Sequence, residues 1–316
     1  MFKRNRKQPS RFLGTYTLPG GQSATGELRL KGSDSLLRLY SDDDLTRIQA
    51  GSCVTGTAYT GECLSLIDCV SPGTGHTSSR DAPTRYHADV FPHYVAIGRH
   101  HLEPDQPYIK AIDFTTTDLT ALFYDFDAFS QVIDAKPIID VVLQERRQMR
   151  PVEAGEWPLV QYFTGRDCIT KAATAIGTIS VHHRPSHSMG GPTGVSIKNR
   201  VIVTVEPERS VTFRDAVDRM HDVACFLSMA AGRPQGISHI HVTADEVVED
   251  IPRSFIIHPS FCWKTSDKSE QHKPHPGDVP LDPIRHRTEF VAVLTDWMLR
   301  HPGWRVARGR YLALLR

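Results

Sequence analysis

The chain has 316 residues, long enough for two domains or for one large β domain with helical additions. Lys and Arg total 37 against 36 Asp and Glu, a formal net charge of +1, which excludes a protein held to nucleic acid by bulk charge. No apolar run approaches the roughly 18–20 residues of a membrane span, and the charged N-terminus lacks the apolar stretch of a secretory signal. Six cysteines without an export signal imply reduced thiols and a cytoplasmic location.

The first ten residues form a basic tail with Lys3, Arg4, Arg6 and Lys7, expected as a solvated terminus. From Arg11 to Val70 the pattern alternates every second residue: Tyr16 and Leu18, Leu28 and Leu30, Leu37 and Leu39, with Gly, Pro, Asp or Ser between the runs. That period predicts half-buried antiparallel strands joined by tight turns. Residues 71–84, rich in Ser, Thr, Gly and Pro, read as a surface loop. Strands are expected around Val90, Tyr94 and Ala96 and again over 109–114, followed by a short helical turn capped by Thr117 or Asp118. The apolar run Ile138–Leu143 reads as a buried strand, and 151–158 as a corner between two halves.

The second half opens with further strands, and its glycine-rich stretch 187–194 is a β connection, because both flanks look like strand and no P-loop Lys-Ser/Thr follows. One internal helix is clear at 212–231, with Thr212 as cap, Asp215 in the first turn, an apolar stripe from Ala216 to Ala231 and Gly232 beyond its end. Asp218, Arg219, His221 and Asp222 fall mostly on its wet side. Two more strands follow, then a polar loop at 265–280. Phe290, Val293, Leu294, Trp297 and Met298 share one face of a C-terminal helix that is expected to stop at Pro302-Gly303, before a second helix begins. The fold class expected is α+β and mostly β: a sandwich-like β domain over 11–150, a β-rich domain with one packed helix over 151–282, and a helical connector over 283–316.

GTYTLPGG, TGELRLKG, LSLIDCV, YVAIGRHHLE, EAGEWPLVQYFTG, GPTGVSIKNRVIV and FLSMAAGRPQGI together resemble the N-terminal region of ApeA-type proteins. In these bacterial anti-phage proteins a β-rich N-terminal region precedes a C-terminal HEPN ribonuclease domain. The resemblance implies a non-catalytic sensing module of an abortive-infection protein. It would respond to a phage-derived ligand and control a HEPN domain carried beyond Arg316, with the apolar end LALLR reading as the edge of a fragment or the seat of a partner helix. The alternative is a stand-alone carbohydrate-binding or glycoside-acting sandwich, which would gather His93, His100, His101, Trp157 and Trp263 around one groove.

Chemistry is sparse. The HEPN-like Arg-x(4–6)-His spacing occurs at Arg253–His258, Arg233–His239, Arg80–His87 and Arg214–His221, at the rate chance gives in a chain with 16 histidines, so no catalytic residue is assigned. His239 and His241 would share a strand face as two zinc ligands, but no third ligand is visible, so neither metal nor cofactor is expected. Asp125 and Asp127 read as packing residues rather than paired acids, and Asp42, Asp43 and Asp44 as a solvated turn. The binding surface expected is the loop 71–87 together with Arg99, His100, His101 and Glu103 at a strand end. The other reading of those four residues is a charged rim that protects a sheet edge.

Overall fold

The computed structural model describes residues 11–79, 82–125, 127–132, 134–146, 155–157, 159–188, 194–248, 251–260 and 282–314. The basic tail, most of the expected corner at 151–158 and the loop at 265–280 lie outside them.

The opening alternation becomes antiparallel β1 (Arg11–Thr17), β2 (Ser23–Arg29), β3 (Leu36–Ser41), β4 (Ser52–Ala58) and β5 (Cys63–Cys69). β1 pairs with β2 on one side and β4 on the other, and β3 pairs with β7 (Ala82–Val90). The chain then bends at Phe91 into β8 (Tyr94–Gly98), which pairs with β5. Val70 and Phe91 exchange both backbone hydrogen bonds, at 2.9 and 2.8 Å, so the curled sheet closes on itself as a small barrel. The two walls of the sandwich expected here are thus opposite walls of one closed sheet. Tyr16, Leu28, Leu37, Leu39, Val54, Leu64 and Leu66 fill its interior, and the Tyr16 hydroxyl donates to the Phe12 carbonyl at 3.0 Å.

The stretch expected as a loop at 71–84 holds the edge strand β6 (Thr74–Ser79), paired with β7. Its threonines and serines read as loop by composition. Pairing with β7 satisfies the backbone groups on the inner side of β6, and Thr is a residue that favours strands.

The sheet continues past β8. β9 (Ile109–Thr116), β12 (Cys168–Thr174), β13 (Gly177–His183), β16 (Val201–Glu206), β17 (Ile237–Val248) and β18 (Ile251–Pro259) extend it in the order β12-β13-β16-β9-β17-β18-β8. Among the described residues the sheet holds fourteen antiparallel strands. Two small ribbons flank it: β10 (Phe129–Val132) with β11 (Val160–Phe163), and β14 (Ser186–His187) with β15 (Ile197–Lys198). The second ribbon puts strand on both sides of the glycine-rich connection, as expected.

Helix α3 (Phe213–Ala230) packs on β9, and α4 (Arg287–Leu314) packs on β12 and α3. The Thr212 hydroxyl accepts the Asp215 N–H at 3.2 Å, and Gly232 takes φ 68° beyond the last turn, so this helix begins and ends where its sequence says. β8 is buried on both faces, with Val95 and Ile97 in the barrel core and Tyr94 and Ala96 in the core beneath the helices. It is the shared wall between the two cores.

Three local expectations change. The run Ile138–Leu143 lies in a helix, α2 (Lys136–Arg146), with Ile138 and Val141 exposed. A short apolar run fits either element, and the charged residues around it leave no sheet to bury it. At the start of α1 (Leu119–Leu122), Asp118 is at the cap position, but its carboxylate does not bond the helix. It accepts instead from Arg233 and from Gln235 Nε2 at 2.7 Å. Finally, α4 runs unbroken through Pro302. Trp297 and His301 before the proline and Arg305 after it all bond Asp222 of α3, which holds both sides of the proline on one axis. Among the described residues no helix is long and apolar enough to cross a membrane.

Candidate functional site

A cleft of about 530 Å³ opens where the barrel meets the helical layer. Its barrel side begins at a β-bulge. Ser52 pairs with Cys69 and Val54 with Leu66, so β5 carries one extra residue there, and Asp68 takes a left-handed φ of 52°. The bulge turns Ile67 toward the second core and Asp68 into the cleft. Cys53 from β4, His93 and Tyr94 from the bend into β8, and Pro104 and Asp105 complete that side. The opposite wall is one face of α3: Phe213, Arg214, Val217, Asp218 and His221 recur at helical spacing.

The walls are tied across the opening. Arg214 Nη2 donates to Asp68 Oδ1 at 3.0 Å, and the Tyr94 and Phe213 rings meet edge to face at 5.5 Å and 82°. Burial, reinforced by Asp105 and Asp68, pushes the Cys53 thiol up to about 11. Burial with Asp68 and Asp218 likewise raises the Tyr94 hydroxyl. Desolvation lowers His221, against the pull of Asp218 and Asp222.

Directly behind the cleft, α4 is moored to α3. The Asp222 side chain is 1% exposed, and it accepts from Arg305 Nε at 2.8 Å and lies 3.1 Å from His301 Nδ1. Arg305 also reaches Asp218 Oδ2 at 2.7 Å, so one guanidinium joins the cleft rim to the buried acid. Asp222, read from the sequence as part of the wet side of its helix, is therefore buried. The covering surface is α4 itself, which no helical wheel of α3 reveals.

A family model described as ApeA N-terminal domain 1 matches residues 11–297, which takes in the barrel core, all of the second core but Met298, every residue of the cleft and the first turns of α4. The chain belongs to this family. It is thereby a module of the ApeA type, a name that implies anti-phage defence. No curated protein and no solved structure matches it.

Within this ApeA N-terminal domain, the four residues picked from sequence follow β8 without lining the cleft. Arg99 and Glu103 are exposed. The Arg99 carbonyl accepts from Cys63 Sγ at 3.3 Å, and the Glu103 N–H donates to the Tyr108 hydroxyl at 2.7 Å. His100 is half-buried, and His101 Nδ1 lies 3.3 Å from the Leu64 carbonyl. The cleft takes the next two residues instead, Pro104 and Asp105. Asp68 had a visible signal: a charge inside the apolar strand LSLIDCV. Asp215, Asp218 and Asp222, three and four apart, were legible as an acidic stripe.

The remaining motifs resolve into structural pairs. Arg253 bonds Glu246 and points away from the sheet face that carries His258. Arg233 bonds Asp118, and Arg80 lies outside the described residues. Arg214 and His221 both line the cleft, with Arg214 engaged by Asp68. A register shift between Ser238 and His241, with His239 at φ 53°, breaks the alternation that would have put His239 and His241 on one face. Among the described residues no three metal-ligating side chains gather. Asp125 is buried, accepting from Arg166 at 3.0 Å beside His183, while Asp127 is exposed, so the two do not act as paired acids.

Proposed function

We propose that this domain is the sensing and regulatory module of a cytoplasmic ApeA-type anti-phage protein. It is non-catalytic, it reads a phage-derived ligand in the cleft, and it transmits occupancy through α4 to a HEPN ribonuclease domain. The observation that carries this reading is the Arg305 bridge, in which a guanidinium on α4 bonds both Asp218 on the cleft rim and buried Asp222. A ligand that engages Asp218 changes one of the bonds that sets the posture of α4. The chemistry of the walls favours binding over catalysis. Cys53 is held as a thiol, and a nucleophilic cysteine needs the opposite shift. Of the described residues a sugar-binding groove would gather, only His93 lines the cleft, Trp157 stands 91% exposed outside it, and Trp263 lies outside the described residues.

The test is RNA cleavage by this chain alone and by the polypeptide that continues into a HEPN domain. We expect cleavage only from the longer protein, and altered basal cleavage when Asp218→Asn removes the rim half of the bridge. RNA cleavage by residues 1–316 alone would overturn the reading, as would a longer protein indifferent to Asp218→Asn.

A further inference from the structure

We infer that the cleft receives an organic cation: a guanidinium or primary ammonium on an aliphatic stem, supplied by an arginine or lysine side chain or by a free polyamine. The inference rests on the cleft being the sensing site proposed above, and it names the chemistry of the ligand.

Charge is the first argument. Asp68 from the β5 bulge, Asp105 from the segment after β8 and Asp218 from α3 face the cavity from three separate elements. Against them stand two guanidiniums, Arg214 in the lining on Asp68 and Arg305 of α4 on Asp218, so the site keeps a net negative charge at Asp105. Wall groups register the resulting negative field. Asp105 and Asp68 add to burial in raising Cys53, and Asp68 and Asp218 do the same at Tyr94. An anion entering here would meet three carboxylates; a cation would gain charge-assisted bonds to them.

Shape and wall chemistry supply the second argument. The cavity lies within the range of about 300–1,000 Å³ typical of small-ligand sites, and it sits between two cores, where such sites concentrate. Tyr94 and Phe213 are aromatic wall residues, and a cation over such a ring is attracted by its quadrupole. Ile67 and Val217 give an alkyl stem an apolar surface. The occupant would compete with Arg214 for Asp68 and with Arg305 for Asp218, the second exchange being the one that α4 feels.

Isothermal titration with spermidine, with a Gly-Arg-Gly peptide amide and with inorganic phosphate tests this. Asp105→Asn and Asp68→Asn serve as cleft variants, and Asp140→Asn on exposed α2 as the control. We expect at least one of the two cations to bind, about tenfold more weakly in each cleft variant and equally well in the control. Spermidine alone binding assigns a free polyamine, the peptide alone a protein side chain, and both the shared chemistry. No cation binding below about 1 mM, binding indifferent to both cleft variants, or phosphate binding in their place would overturn the inference. RNA cleavage by the HEPN-containing protein separates the two readings. Cation binding that leaves cleavage unchanged sinks the sensing role alone, whereas cleavage that responds to Asp218→Asn without cation binding sinks the ligand class alone.

Discussion

Arg305 of α4 donates from Nε to Oδ1 of Asp222 on α3 across 2.8 Å, and the acceptor side chain is 1% exposed. Removing the acid leaves Arg305 and His301 facing a buried space without their partner. Because Arg305 is about one-third exposed and keeps Asp218, the loss falls below that of a fully buried pair. Asp222→Ala should destabilise the domain by about 2–4 kcal/mol in urea unfolding, and limited proteolysis should then cut α4 first.

Asp68 holds a left-handed backbone that costs a non-glycine residue roughly 1–2 kcal/mol, with Asp among the residues that tolerate it best. Asp68→Ala and Asp68→Gly both lose the exposed bond to Arg214, so their difference isolates the backbone. The glycine variant should be the more stable by about 1 kcal/mol in chemical denaturation.

Gly56 faces Tyr16 inside the barrel, and a Cβ there would lie 2.3 Å from the Tyr16 ring. Tyr16 is fully buried, with its hydroxyl tied to Phe12, so it cannot step aside. Gly56→Ala should cost about 1–3 kcal/mol by the same measurement.

Burial lowers His183, His221 and His258 below the ordinary histidine range in the folded state. Each therefore protonates more readily in the unfolded chain. Their contribution is intact above the unfolded value of about 6.5 and is lost as pH falls through it toward the folded values. The melting temperature should drop between pH 7 and pH 5, and His258→Phe, which removes one such proton, should flatten that decline.

Much of this architecture was legible locally. β1, β2 and β3 follow from alternation at period two, and α3 from an apolar stripe bounded by Thr212 and Gly232. The errors share a cause. Ile138–Leu143 is apolar in sequence, yet Ile138 and Val141 are exposed on a helix. Residues 71–84 look like loop by composition, yet β7 pairs with β6. The cap at Asp118 was displaced by Arg233, a partner 115 residues away.

The sequence alone determined the family, the mostly β character, the helix at 213–230 and the turn chemistry of the first half, because propensity, periodicity and caps act within a few residues. Tertiary structure decided the closure of the barrel at Val70 and Phe91, the burial of Asp222 and the assembly of the cleft. Asp68, Asp105 and Asp218 are separated by 37 and 113 residues along the chain and converge only when the bulge, the bend into β8 and α3 pack together. Such convergence depends on which face each element buries, and that is settled by long-range packing rather than by local pattern.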